Sequence, residues 1–238
     1  KFQIPDMLAN RSDVYNLGDM LRENEGAFKL SYIENALTSN PVLNKLISKS
    51  PKDVYALIEA AETGEQDSLE LQGGYAVEEI TEFIEVLKKL LRVRDVVLDV
   101  NMEYIRSAAM AEEYRTEPAF KLQGSYRNMN KIAEKVLPVM NDAELESLIL
   151  GSYENDSQTL TSGAEANILK WKELAGVLSD EDRVRWDEMK QLFARGRLAS
   201  ADNTGGQVVL QLSDLKESLA KIQSVLSFAF SPERLKDD

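Results

Sequence analysis

The stretch VEEITEFIEVLKKLLRVRDVVLDVNMEYIRSAAMAEEY, residues 77–114, decides the fold. Within it Ile80, Phe83, Ile84, Leu87, Leu90, Leu91, Val97, Leu98, Tyr104 and Ile105 recur at helical spacing, with no proline among them. That pattern predicts one long amphipathic helix from about Val77 to Tyr114, which at 1.5 Å per residue reaches roughly 50 Å. Thr116-Glu117-Pro118 ends it.

Upstream, Leu30, Ile33, Ala36 and Leu37 continue the three- and four-residue period, and Asn40-Pro41 supplies a cap and a first-turn proline. Ser50-Pro51-Lys52-Asp53 sets a capping hydroxyl, a proline at the first helical position and an acid near the free N–H groups. Tyr55, Leu57, Ile58 and Ala61 carry that helix on. Thr63-Gly64-Glu65-Gln66-Asp67 and Gly73-Gly74 then bound a connector around Leu69-Glu70-Leu71.

Downstream, Gly124-Ser125 starts a helix expected to run through Ile132, Val136, Leu137 and Met140. Asn141-Asp142-Ala143-Glu144 is a further capping start. Gly151 and the polar run Glu154-Asn155-Asp156-Ser157 are expected to interrupt that helix before Ala164 to Leu174 resumes, with Ser162-Gly163 as a kink and cap. Ser179-Asp180-Glu181-Asp182 opens another through Trp186, Met189, Leu192 and Phe193. The run 200–206 reads as a linker, and Val208, Leu212, Leu215, Leu219, Ile222, Val225 and Leu226 mark a last amphipathic helix within 207–238. The expectation is an all-α, multi-helix bundle with one long helix, preceded by a segment around Ile4–Asp19 read as a helical turn and a short strand whose sheet partners lie elsewhere.

Composition excludes several functions. The 238 residues contain no cysteine and no histidine, which removes disulfides, thiolate metal sites, the Ser-His-Asp triad and histidine general bases. The net charge of −13 repels nucleic-acid phosphates, so direct nucleic-acid binding is not expected. No apolar run approaches the roughly 20 residues that span a bilayer, and a cytoplasmic protein without membrane contact is the expectation. Opening on Lys1 followed by apolar Phe2 and Ile4, the chain reads as a piece of something longer. No Gly-x-x-x-x-Gly-Lys-Ser/Thr loop is present to wrap a triphosphate, so no ATP hydrolysis is expected from this piece alone.

Other side chains have plainer readings. Glu78, Glu79, Glu82 and Glu85 fall at helical spacing but lack the Glu-x-x-His partner of di-iron bundles, and read as a solvated face. Trp171 and Trp186 sit in apolar helical patterns and read as core. Arg92, Arg94 and Arg106, interleaved with Asp95, Asp99 and Glu103, predict intrahelical ion pairs.

Two arginines stand apart. Arg127 falls in the first turn of the helix opened by Gly124-Ser125, where free N–H groups and the positive end of the helix dipole favour an anion, while the charge pattern alone favours a surface arginine paired with a carboxylate. The motif Gly124-Ser125-Tyr126-Arg127-Asn128-Met129 resembles the second-sensor element of AAA+ ATPases, particularly the MoxR-like branch. Met7-Leu8-Ala9-Asn10-Arg11-Ser12-Asp13-Val14 is similar to the Leu-x-x-Arg-Phe-Asp segment near the end of the ATPase core, with Ser12 where the pattern has phenylalanine. The wider runs Phe2 to Arg11, Glu117 to Arg127 and Gln158 to Glu165 resemble the C-terminal region of large bacterial proteins catalogued as DNA-repair ATPases, over most of residues 1–195.

The resemblance implies residues 1–25 as the end of an AAA+ core and 26–199 as a helical lid domain and extension, to which the residue pattern adds 200–206 as linker and 207–238 as a C-terminal amphipathic helix. It implies Gly124, Ser125 and Arg127 as a candidate nucleotide-sensing element and Arg11 as a candidate arginine finger acting across a subunit boundary, against the plain reading that Arg11 pairs with Asp6 or Asp13. ATP and Mg would be cofactors of the parent, not of this piece alone. The partners would be the parent's own ATPase core and further copies in a homo-oligomer. The alternative from the residues alone is a helical protein–protein interaction module with no tie to nucleotide, and a further rival is a stand-alone enzyme using carboxylates.

Overall fold

The structure, a computed structural model, describes residues 24–65 and 69–200, with side chains up to Arg197. Arg11, the turn and strand read at 4–19, linker residues 201–206 and the 207–238 helix lie outside the described residues. The fold is an all-α multi-helix bundle. In chain order the α-helices are α1 (Glu25–Leu37), α2 (Pro51–Thr63), α3 (Val77–Ala109), α4 (Tyr126–Ala133), α5 (Asp142–Gln158), α6 (Ala164–Ala175) and α7 (Asp180–Ser200), with 3-10 turns at Leu43–Ser48 and Glu112–Tyr114. No helix among the described residues is long and apolar enough to cross a membrane.

Among the described residues the chain divides into two compact units, one of 24–107 with 121–161 and one of 108–120 with 162–200. The first is organised on α3. Of its 33 residues, 15 are buried, and they include Val86, Leu87, Leu90, Val93, Val96 and Val97, which wrap more than one face. A helix buried on several sides lies inside its bundle. Around it the core takes Ile33 and Ala36 from α1, Leu43 and Leu46 from the first 3-10 turn, Leu57 and Ile58 from α2, Met129 and Ile132 from α4, and Leu145, Ile149 and Tyr153 from α5.

Two buried polar side chains hold the connections of this unit. Asn40 spends its whole hydrogen-bonding capacity: Nδ2 donates to the carbonyls of Ala133 (2.8 Å) and Val136 (2.9 Å), while Oδ1 accepts from the N–H groups of Val42 (2.9 Å) and Leu43 (3.1 Å). It therefore opens a 3-10 turn, where the sequence predicted an α-helix cap. Asp53, in the first turn of α2, accepts from the N–H groups of Gln72 (2.8 Å) and Gly73 (3.0 Å) and from the Tyr75 hydroxyl (2.9 Å), closing the connector onto the helix. These donors, the Gln72 amide foremost, hold its carboxyl below the usual range.

Three helix boundaries differ from the sequence reading. The long helix stops at Ala109 rather than Tyr114, and Met110 to Tyr114 are all exposed, so no buried stripe carries it further. The helix opened by Ser125 stops at Ala133 rather than Met140; Lys135 and Val136 close tight turns, and Asn40 takes the released carbonyls. The Gly151 to Ser157 region does not interrupt α5, because Leu145, Ile149, Tyr153 and Ser157 keep one face buried across it. The arginines of α3 pair partly as expected: Arg106 binds Glu103 within the helix (2.9 Å), whereas Arg94 also reaches Glu62 (2.8 Å) and Arg92 reaches Glu146 of α5 (2.7 Å).

The second unit closes α6 on α7 through Ala166, Leu169 and Trp186, with Leu178 and Met189 packed against them. Gly163, at φ 79°, is the N-cap of α6, and Ser179 caps α7 by accepting from the Asp182 N–H at 3.0 Å. Lys172–Asp182 (3.0 Å) and Arg185–Glu165 (2.6 Å) tie the two helices on their outer faces.

Candidate functional site

The segment that leads into α4 is fixed by close packing. Leu122 is buried, and Gly124 lies so near α3 that a Cβ on it would stand 1.8 Å from the carbonyl oxygen of Val97 and 2.6 Å from the Asn101 nitrogen. Glycine is required there by backbone approach. The Gly124 carbonyl accepts from the Tyr32 hydroxyl at 3.1 Å. Tyr32 in turn packs its ring on Tyr126 (centroids 4.3 Å apart), and Ser31 Oγ shares a hydrogen bond of 2.7 Å with the Tyr126 hydroxyl. Burial is the main cause that raises the hydroxyl pKa of Tyr32, and the same holds for Tyr153 on α5.

Ser125 then starts α4 with a capping box. The Asn128 N–H donates to Ser125 Oγ at 3.4 Å, and Asn128 Oδ1 accepts from both the Ser125 N–H (3.2 Å) and its hydroxyl (2.6 Å). Asn128 Nδ2 donates to Asp156 Oδ2 on α5 at 2.8 Å, and Lys131 Nζ donates to Asp156 Oδ1 at 2.6 Å. Tyr126 on one side and Asn128 on the other are thus both anchored.

Arg127 between them is exposed, and it makes no hydrogen bond or ion pair with the described residues. It lies on an open cleft of about 410 Å³, together with Lys121, Gln123, Ser125, Asn128, Lys131 and Asp156. Its lining carries three cations, Lys121, Arg127 and Lys131, and one carboxylate, Asp156, which Lys131 engages, on a chain of net charge −13.

Of the residues singled out from the sequence, Gly124, Ser125 and Arg127 are therefore placed together, with different surroundings: Gly124 buried against α3, Ser125 capping, Arg127 in the open. Arg11 lies outside the described residues. Sequence reasoning missed Lys121, Lys131 and Asp156. Asn128 carried a usable signal, since it stands three residues after the Ser125 cap, where a side chain reaches back. Of the acids at the start of α3, Glu78 and Glu82 are exposed as expected, whereas Glu79 is half-buried and accepts from the Ala76 N–H (3.2 Å) and Glu85 is half-buried and paired with Lys88 and Lys89. No protein-family model, curated protein or solved structure matches the chain.

Proposed function

We propose that this chain is the helical lid and subunit-contact region of an AAA+ ATPase, coupling ATP binding and hydrolysis elsewhere in a cytoplasmic homo-oligomer to movement of its own helices. The observation that carries the reading is the state of Arg127: an exposed guanidinium without a partner among the described residues, in the first turn of a capped helix, on a cleft where cations outnumber carboxylates. An arginine so placed has its full charge to give to a phosphate, and the N-terminal N–H groups of α4 add to the attraction. Ser125 and Gly124 serve that arginine by fixing where its turn begins. ATP and Mg would be held by the ATPase core, whose phosphoryl-transfer chemistry needs positive charge brought in from outside the reacting group. Arg11 is the candidate to supply it across a subunit boundary.

The test uses the full-length protein. Arg127→Ala is expected to lower ATP turnover by roughly tenfold or more while melting temperature and helix content stay at wild-type values, since the exposed side chain makes no hydrogen bond or ion pair with the described residues. Turnover equal to wild type would remove the sensor role and leave a helical interaction module. For Arg11, mixing Arg11→Ala subunits with subunits that keep Arg11 but are inactivated at their own nucleotide site is expected to restore turnover at mixed boundaries, where one subunit gives the intact site and the other the arginine; no recovery would sink a role in trans.

A further inference from the structure

Asp156 sits 28 residues beyond Asn128 in sequence, yet its two oxygens are both taken by α4, Oδ2 by Asn128 Nδ2 and Oδ1 by Lys131 Nζ. A carboxylate can only accept, so the Asn128 amide must turn its NH2 toward Asp156. Its oxygen is then left facing Ser125, where it receives both the backbone N–H and the hydroxyl. The orientation of a single amide thus connects α5 to the cap of α4. The second oxygen acts on charge. Lys131 stands one helical turn from Arg127, the spacing at which like charges repel. Asp156 takes up that lysine, and Arg127 remains as the cation with no partner among the described residues.

We infer that Asp156 is the positioning residue of the cleft: through Asn128 it fixes the first turn of α4, and by engaging Lys131 it leaves Arg127 to meet a phosphate-bearing ligand. This rests on the reading of Arg127 as a phosphate contact given above. The inference has an unusual sign. Neutralising a carboxylate in an anion-binding cleft tightens binding when that carboxylate merely adds negative charge. If Asp156 holds the site in shape, the same change weakens binding.

Asp156→Asn is the informative variant because it keeps the size of the side chain and loses the all-acceptor character. Its carboxamide can still accept from Lys131, but then offers an NH2 to Asn128, whose amide must flip and turn a donor on the Ser125 N–H. Combining it with Asn128→Asp reverses the pair: the carboxylate now stands on α4, accepts from Ser125 and from the new carboxamide, and the overall charge is that of wild type.

In the full chain, amide hydrogen exchange at Ser125, Asn128 and Met129 is expected to quicken about fivefold in Asp156→Asn, as for a lost helix cap, and to return to within about twofold of wild type in the double variant. Inorganic tripolyphosphate, followed by the Arg127 amide and Nε resonances, is expected to bind about threefold or more weakly to Asp156→Asn and to recover in the double variant. Unchanged exchange, no recovery on reversal, tighter tripolyphosphate binding in the single variant, or no response of Arg127 in wild type would each overturn the assignment. A full-length protein whose ATP turnover ignores Arg127 would strike the ATPase reading while these comparisons still decide the role of Asp156.

Discussion

Gly124 lies against the backbone of Val97 so closely that a Cβ would stand 1.8 Å from the Val97 carbonyl oxygen. The contact is with main chain on one of the most buried stretches of α3, so no flexible side chain can move aside. Gly124→Ala is therefore expected to destabilise the protein by about 2 kcal/mol or more, as overpacking does. Gly151, in the interior of α5 with nothing within 4 Å of its Cβ position, should behave oppositely, Gly151→Ala adding about 0.5–1 kcal/mol. Thermal melts of the two variants, moving in opposite directions, check both.

Asn40 predicts a difference between two conservative changes. Asn40→Ala leaves the Ala133 and Val136 carbonyls and the Val42 and Leu43 amides without their side-chain partner in a buried place, at a cost of about 3 kcal/mol. Asn40→Asp keeps the acceptor but turns a carboxylate oxygen on two carbonyl oxygens, and at pH 7 should cost more than alanine does. Urea denaturation of the pair decides it; equal losses would show that the Nδ2 bonds carry little.

The connector held by Asp53 should have a pH window. The folded carboxyl is depressed, by the Gln72 amide first and then by the Tyr75 hydroxyl, the Gly73 amide and the Lys49 charge, so its contribution is present above the ordinary carboxylate range and is lost as acid protonates the folded group. Tyr75 bounds the other side. Burial first, then Asp53, pushes its hydroxyl up to about 12, so its contribution is complete below the ordinary tyrosine value of about 10 and disappears as pH rises through 12. Protection of the Gln72 and Gly73 amides, taken relative to the intrinsic exchange rate at each pH, should be greatest between these limits. In Asp53→Asn the acid limb should vanish, and persistence of that limb would assign it to another group.

Trp186 is the centre of the second unit's small core, with 1% of its surface exposed and no partner for its indole N–H among the described residues. Trp186→Ala should cost about 3–5 kcal/mol through the cavity it leaves. Trp186→Phe should cost under about 2 kcal/mol, because it also removes an unsatisfied donor. Equilibrium denaturation followed by circular dichroism compares the two; a phenylalanine variant as damaged as the alanine one would refute the part given to the N–H.

Much of this architecture is legible in the residues, and the exceptions are instructive. The uninterrupted apolar period of α3, the cap at Ser125, the box at Asn141 and Glu144 and the break at Gly64 are local signals, and each element begins or ends where they say. What escaped was set at a distance. The end of α4 is decided by Asn40, more than 90 residues earlier in the chain, and the continuity of α5 past Gly151 by packing on one face. At the cleft, the first-turn position of Arg127 was visible in the sequence. That Gly124 is a packing glycine, and that Asp156 faces Asn128, depended on which helices come together.

The cation-lined cleft on an acidic chain carries a kinetic consequence. An anion diffusing toward Arg127 first meets the repulsive far field of a −13 molecule and feels the attraction only within the last few ångströms. Added salt, by shortening the Debye length, lifts the outer barrier while it weakens the inner grip. Association should thus quicken with ionic strength even as residence shortens, the reverse of the on-rate trend of an electrostatically steered pair, and divalent counterions that travel with the anion would ease its entry.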